Sequence, residues 1–160
     1  MAKRIRRILL DSSIYGAAIE DEATFPVESI QYWDVVYSKA LFRIFRKLEI
    51  FGCGPIEDEL SDALDHLRRK LNGLYSRARQ LKLIKRVSEL SSDYVSAGIF
   101  APDALIAAFA SGYKLDAFVT INRRHLKQPE AERKLAGVNR RFRLPALRIL
   151  LPRELLELIS

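Results

Sequence analysis

Hydrophobic positions along the 160-residue chain alternate between short apolar runs and longer stretches of helical period. Ile5–Leu10 ends in the continuous run Ile8-Leu9-Leu10, as expected of a central strand buried on both faces. Between Pro26 and about Leu48, the residues Ile30, Trp33, Tyr37, Leu41, Ile44 and Leu48 recur at helical spacing. They predict a core-facing helix opened by a proline in its first turn. Glu49–Gly52 predicts a second strand, after which Gly52, Gly54 and Pro55 turn the chain into a short helix carrying Glu59. Over Asp65–Arg86, Leu67, Leu71, Leu74, Ala78 and Leu81 step by four and three, predicting one helix whose seam packs on the core or on a partner helix. Further helices are expected over Ser88–Ala97 and from Pro102 through Ser111, the latter stopped by Gly112. Ala117–Thr120 and Leu147–Leu151 read as buried strands, and Pro152 starts a last helix, Arg153–Ile159.

Strands that alternate with helices imply an α/β fold with a mainly parallel sheet, in which ligands bind at the carboxyl ends of the strands. The length suits a single domain over residues 1–160, and no repeat, low-complexity tract or linker interrupts it. Hydrophobic residues at 49% and charged residues at 29% argue against disorder. The longest uncharged apolar stretches, such as Ala104–Tyr113, are half the roughly 20 residues that span a bilayer. One cysteine, Cys53, excludes an internal disulfide and a cysteine-rich zinc site, and two histidines exclude a multi-histidine site. The basic amino-terminal stretch has too short an apolar run for a secretory segment, so a reducing, cytoplasmic setting is expected.

The net charge of +7 is unevenly spread. Residues 1–116 carry 17 basic and 16 acidic groups, whereas residues 117–160 carry 10 and 4. Glu57–Asp65 holds five acids and no base, and His66–Arg86 holds eight Lys or Arg and no acid. Such zoning fits either a polyanion partner with acids reserved for another task, or helices with solvated charged faces.

Asp11 sits at the carboxyl end of the first strand, where an α/β sheet binds ligands. Asp103 lies in the first turn of the Pro102 helix, a position the helix dipole favours and which simple capping also explains. No glycine-rich dinucleotide or P-loop motif is present. Five motifs occur in order: Leu10-Asp11-Ser12-Ser13; Gly54-Pro55 followed by Glu59-Leu60; Asp103-x-x-Ile106-Ala107-Ala108; Val119-Thr120-x-Asn122-x-x-His125-Leu126; and Leu150-Leu151-Pro152 leading to Glu154-Leu155. In this the chain resembles, end to end, the PIN-domain proteins of the VapC toxin type.

That resemblance implies a three-layer α/β/α sandwich around a mainly parallel sheet. It implies an endoribonuclease dependent on Mg²⁺ or Mn²⁺ that leaves 5′-phosphate and 3′-hydroxyl ends, an RNA substrate, a homodimer, and a small antitoxin as partner. Asp11, Glu59 and Asp103 are then the expected metal ligands and, with Asn122, the catalytic set. Glu57 and Asp58 are local rivals of Glu59. Many members carry Asp where this chain has Asn122, an amide that accepts hydrogen bonds but adds no charge. Crowded carboxylates repel, so at least one should be harder to ionise. Ser13 and Thr120 are placed to orient them, or to cap backbone. Arg123, Arg124, Arg140, Arg141 and Arg143 are candidate RNA contacts, because cations hold the phosphate backbone while carboxylates hold metal. Asp116 starts its strand and belongs at the opposite edge. His125 reads as a polar position without catalytic duty, and Cys53 as a packed residue. The rival function is a catalytically weak nucleic-acid-binding or scaffold protein.

Overall fold

The computed structural model describes residues 4–159, at position 45 the backbone alone. Its elements run β1 (Arg7–Leu10), α1 (Ser12–Ala18), α2 (Ile30–Arg43), β2 (Glu49–Gly52), α3 (Gly54–Ser61), α4 (Asp65–Tyr75), β3 (Arg79–Gln80), α5 (Lys85–Ser96), α6 (Ala101–Gly112), β4 (Ala117–Val119), α7 (Pro129–Arg141), β5 (Ile149–Leu150) and α8 (Pro152–Ile159). The strands form one sheet in the order β3-β2-β1-β4-β5, all parallel. β1 is central, with Ile8 opposite Ile50 on one side and Ala117 on the other. Ile8, Leu9 and Leu10 are fully buried, as an apolar run covered on both faces requires. Helices α1 to α4 pack among themselves with α8 on α2, while α5 packs on α6 and α7, so two helical layers enclose the sheet. The result is a three-layer α/β/α sandwich.

Several elements differ from the sequence expectation. The Pro26 helix begins only at Ile30, because the Ser29 hydroxyl accepts from the Tyr32 amide and caps it there. It ends at Arg43, and a 3-10 turn over Phe45–Lys47 precedes β2. Ile30 and Trp33 are not core residues but lie exposed, Trp33 edge-on to Tyr32 and tilted against Tyr37. The expected single helix over residues 65–86 is two elements. Tyr75, the last residue of α4, donates its hydroxyl to the Cys53 carbonyl and the Gln80 side chain, at 3.2 and 2.8 Å. Beyond it the chain folds back, so that Arg79 and Gln80 pair with the otherwise open edge of β2. A Cβ on Gly52 would lie 2.5 Å from the Tyr75 hydroxyl, so the close approach of that ring requires glycine there. Leu71 of the seam is buried and Leu67, Leu74, Ala78 and Leu81 pack against this chain's own core.

Gly112 does not stop α6. It is the helix's last residue, and a Cβ there would meet Val87 of α5 at 2.9 Å. The stop comes two residues on. Leu115 donates to the Ala110 carbonyl and Lys114 to Ser111, the paired bonds of a Schellman end, with Lys114 left-handed at φ 54°. Helix α7 ends the same way: Leu144 donates to Asn139 and Arg143 to Arg140, with Arg143 at φ 56°. A side chain in that backbone region costs energy that glycine avoids. Lys114→Gly and Arg143→Gly are each expected to raise stability by about 0.5–1 kcal/mol, or about 1–4 °C in Tm. Thermal melts of the single and double variants check this; unchanged or lowered Tm values would contradict the assignment.

Candidate active site

Asp11 follows β1 directly and occupies the cap position of α1. Its amide donates to the Val119 carbonyl at 2.9 Å, which prolongs the β1–β4 pairing. An Asp at a helix cap ordinarily spends its carboxylate on the first free amides of the helix. Asp11 makes no such bond. Its Oδ2 instead accepts the hydroxyls of Ser13, at 2.6 Å, and Thr120, at 2.9 Å. Both hydroxyls thus contact the Asp11 carboxylate. Thr120, just beyond β4, also accepts the Asn122 amide at 2.9 Å. The Asn122 side-chain carbonyl in turn accepts the Arg124 amide at 3.1 Å.

Glu59 arrives from α3, whose start is set by Pro55 in the first turn immediately after β2. The Ser12 hydroxyl donates to its carboxylate. Asp103 lies in the first turn of α6, and its Oδ2 faces Nδ1 of His125 at 2.7 Å. Asp11, Glu59, Asp103 and Asn122 thus line one cavity of about 140 Å³ together with Ser12, Ser13, Thr120 and His125. Glu57 and Asp58 do not line it. Asp116 is at the opposite edge, where its Oδ2 accepts the amides of Arg6 and Arg7 at 3.0 and 2.9 Å. The cavity sits between β1 and β4, the point where the chain stops adding strands on one side of β1 and starts on the other. In open parallel sheets this switch point is where ligands bind.

Among the described residues no Lys or Arg pairs with Asp11, Glu59 or Asp103; hydroxyls and an imidazole hold them instead. Glu59 is pushed above the usual carboxylate range, first by loss of water around it and then by the charges of Asp11 and Asp103, against the opposing Ser12 bond. Three carboxylates with no thiolate form a donor set for a hard cation. Among the described residues no three Asp, Glu, His or Cys side chains are close enough to make a ready-built cage. Mg²⁺ needs none, since it commonly binds through one or two carboxylates and keeps several waters. Asp11 Oδ1, which neither hydroxyl occupies, and Asp103 are the groups best placed to take part.

The five arginines separate. Arg123 is engaged by Asp34 of α2, both guanidinium nitrogens donating at 2.9 Å, and so ties the loop after β4 to that helix. Arg124 borders the carboxylates through a larger groove of about 510 Å³, which shares Asp103, His125 and Leu126 with the small cavity. Arg140, Arg141 and Arg143 lie where α7 ends before β5, which the parallel crossover puts at the amino edge of the sheet, and none lines either cavity. His125, which from sequence reads as a polar position without catalytic duty, faces Asp103, a contact the sequence does not signal. Its partner is 22 positions away, and only the fold brings them together. Cys53 is fully buried and its thiol is pushed up to about 12 by that burial, consistent with a packed residue.

Among solved structures, the fold is shared by a chain in the crystal structure of VapBC2 from Rickettsia felis bound to a DNA fragment from their promoter. The match covers 91% of this chain and 98% of that one, with a TM-score of 0.58 and 16% identity. The chain has a PIN-like fold. No family model and no curated protein matches it. Within the described residues of this PIN fold, no helix is long and apolar enough to cross a membrane.

The raised Glu59 has a consequence for stability. Between the ordinary Glu value, about 4.3, and its higher folded value, the native state binds the proton more than the unfolded state does. Stability from this group is therefore complete below the ordinary value and lost as pH rises through the folded one. Glu59→Gln should flatten that slope and make the metal-free protein more resistant to urea at neutral pH. Urea melts from pH 4 to 8 in chelator test this; a variant less stable than the parent at pH 7 would contradict it.

Proposed function

We propose that this PIN domain is a metal-dependent endoribonuclease of the VapC toxin type. The observation that carries the reading is the meeting of Asp11, Glu59 and Asp103 at the switch point, where among the described residues no Lys or Arg pairs with them and only the His125 imidazole faces Asp103. Such a gathering of negative charge is unfavourable unless a cation completes it. Bound Mg²⁺ or Mn²⁺ would neutralise the scissile phosphate and lower the pKa of a water. Asp11 and Asp103 would hold the ion, with Glu59 ligating it or positioning the water. Ser13 and Thr120 fix the Asp11 carboxylate, and His125 fixes that of Asp103. Attack of water on phosphorus breaks the P–O3′ bond, so a 3′-hydroxyl and a 5′-phosphate result. Asn122 adds no charge, and its carbonyl holds the loop that carries Arg124.

A separate antitoxin is supported by the fold shared with VapBC2, and a homodimer by the PIN resemblance. Co-purification with the product of an adjoining gene and sedimentation of the purified chain test these partners; a lone monomer in both would count against them. The absence of a ready-built cage among the described residues favours, as a second reading, a nucleic-acid-binding PIN protein of weak activity. Cleavage decides between them.

Asp11→Asn and Asp103→Asn are each expected to abolish Mg²⁺- or Mn²⁺-dependent cleavage of single-stranded RNA, while RNA binding persists or strengthens. Unchanged cleavage in Asp103→Asn would sink the catalytic assignment, and a wild-type protein that binds RNA but cuts with no divalent metal would establish the second reading. The two neighbouring arginines should part company. Arg123→Ala leaves Asp34 without its charged donors and should cost about 1.5–3 kcal/mol in stability. Arg124→Ala should leave stability unchanged but lower the salt dependence of RNA binding by a slope of about 0.7. Denaturant melts and binding titrations at several salt concentrations separate the two effects.

A further inference from the structure

The geometry points to a nucleobase subsite in the groove beside the carboxylates, with Phe100 as its stacking platform. This rests on the nuclease reading and adds where a base next to the scissile phosphate is held.

Phe100 is 64% exposed, among the most exposed of the large apolar side chains described. A lone exposed phenylalanine calls for no explanation. This one lies three residues before Asp103, lines the groove of about 510 Å³, and has its ring 6.3 Å from that of His125, the residue bonded to Asp103. The groove also holds Arg124 and Lys134. Lys134 is shared with Glu130 at 3.3 Å, whereas among the described residues no carboxylate pairs with Arg124. An open aromatic face, a cation and an adjoining acidic pocket are what a single strand needs: stacking for a base, charge for its phosphate, and carboxylates at the next phosphate. Bases in a duplex are already stacked on each other, so such a platform selects single strands.

The backbone that carries the ring is anchored on both sides. Helix α5 ends in a Schellman motif, with Ile99 donating to Tyr94 and Gly98 to Val95, at 3.0 and 2.9 Å. Gly98 takes the left-handed position at φ 101°, and Ile99 is buried. The next residue, Phe100, stands at the cap of α6 between two anchored helices. Its ring is therefore presented to solvent by a turn with little freedom, which lowers the ordering cost of stacking.

The test uses the cleavage-silent Asp11→Asn protein, in chelator, with a fluorescently labelled single-stranded RNA and a series of the same RNA carrying one abasic position. Phe100→Ala should weaken binding roughly 5- to 100-fold, the range of one base–aromatic stack. Phe100→Trp should retain affinity. The salt slope should not change. For one abasic RNA in the series the Phe100→Ala penalty should vanish, which identifies the stacked base. Equal affinity of Phe100→Ala and parent would overturn the subsite, as would a penalty of the same size for every abasic RNA, which marks a structural effect. The same series in DNA reads whether the platform distinguishes the sugar. Failure of the nuclease reading looks different: Phe100-dependent binding persists in this assay while the wild-type chain cuts no RNA with any divalent metal.

Discussion

Pairing of β1 on both sides sets the position of everything at the carboxyl edge. Its three buried residues Ile8, Leu9 and Leu10 are sandwiched between helical layers, and its backbone is bonded to β2 and β4 at once. A one-residue slip would turn each side chain to the other face of the sheet. The register is therefore fixed, and with it the point where the chain leaves the sheet. Asp11 emerges there, Thr120 emerges beside it from β4, and the chain leaving β2 starts the helix that carries Glu59. Three segments distant in sequence meet because three parallel strands end together.

The charges obey a division of labour. Several basic groups on the body of the protein are tied to acids away from the cavity: Arg123 to Asp34, Lys39 to Glu22, and Lys127 to Glu154. Burial works against the Glu154 carboxylate, but the Leu151 amide and Lys127 outweigh it and hold that group below its ordinary range. At the carboxyl edge the balance is reversed, and the Glu59 carboxyl is driven up instead. The same residue type is stabilised as an anion where it builds structure and destabilised where it lines the cavity.

Much of this was legible in the chain. The buried run before Asp11, the proline-opened helices and the strand before Thr120 follow from periodicity and turn chemistry, and motif order located the four cavity residues Asp11, Glu59, Asp103 and Asn122. What stayed hidden depended on tertiary partners. Strand β3 is two exposed residues whose only signature is the open edge of β2. Helix α1 is short, and α7 follows Pro129 in a segment as rich in charge as a loop, so neither shows in the periodicity. Trp33 obeys the helical period yet faces outward, since period alone does not say which face the core will cover. Five arginines looked alike in sequence. Only topology and the position of Asp34 tell a clamp from a cation left open to solvent.

The burial of Cys53 carries a practical consequence. It is the only cysteine in the chain, and burial both closes it to reagents and pushes its thiol up to about 12, so that it is little ionised near neutral pH. The native protein is in effect thiol-silent toward maleimides and similar reagents. A single cysteine introduced on the surface can be labelled selectively without first removing the original, so distance measurements between the carboxyl edge and a bound strand need no cysteine-free background.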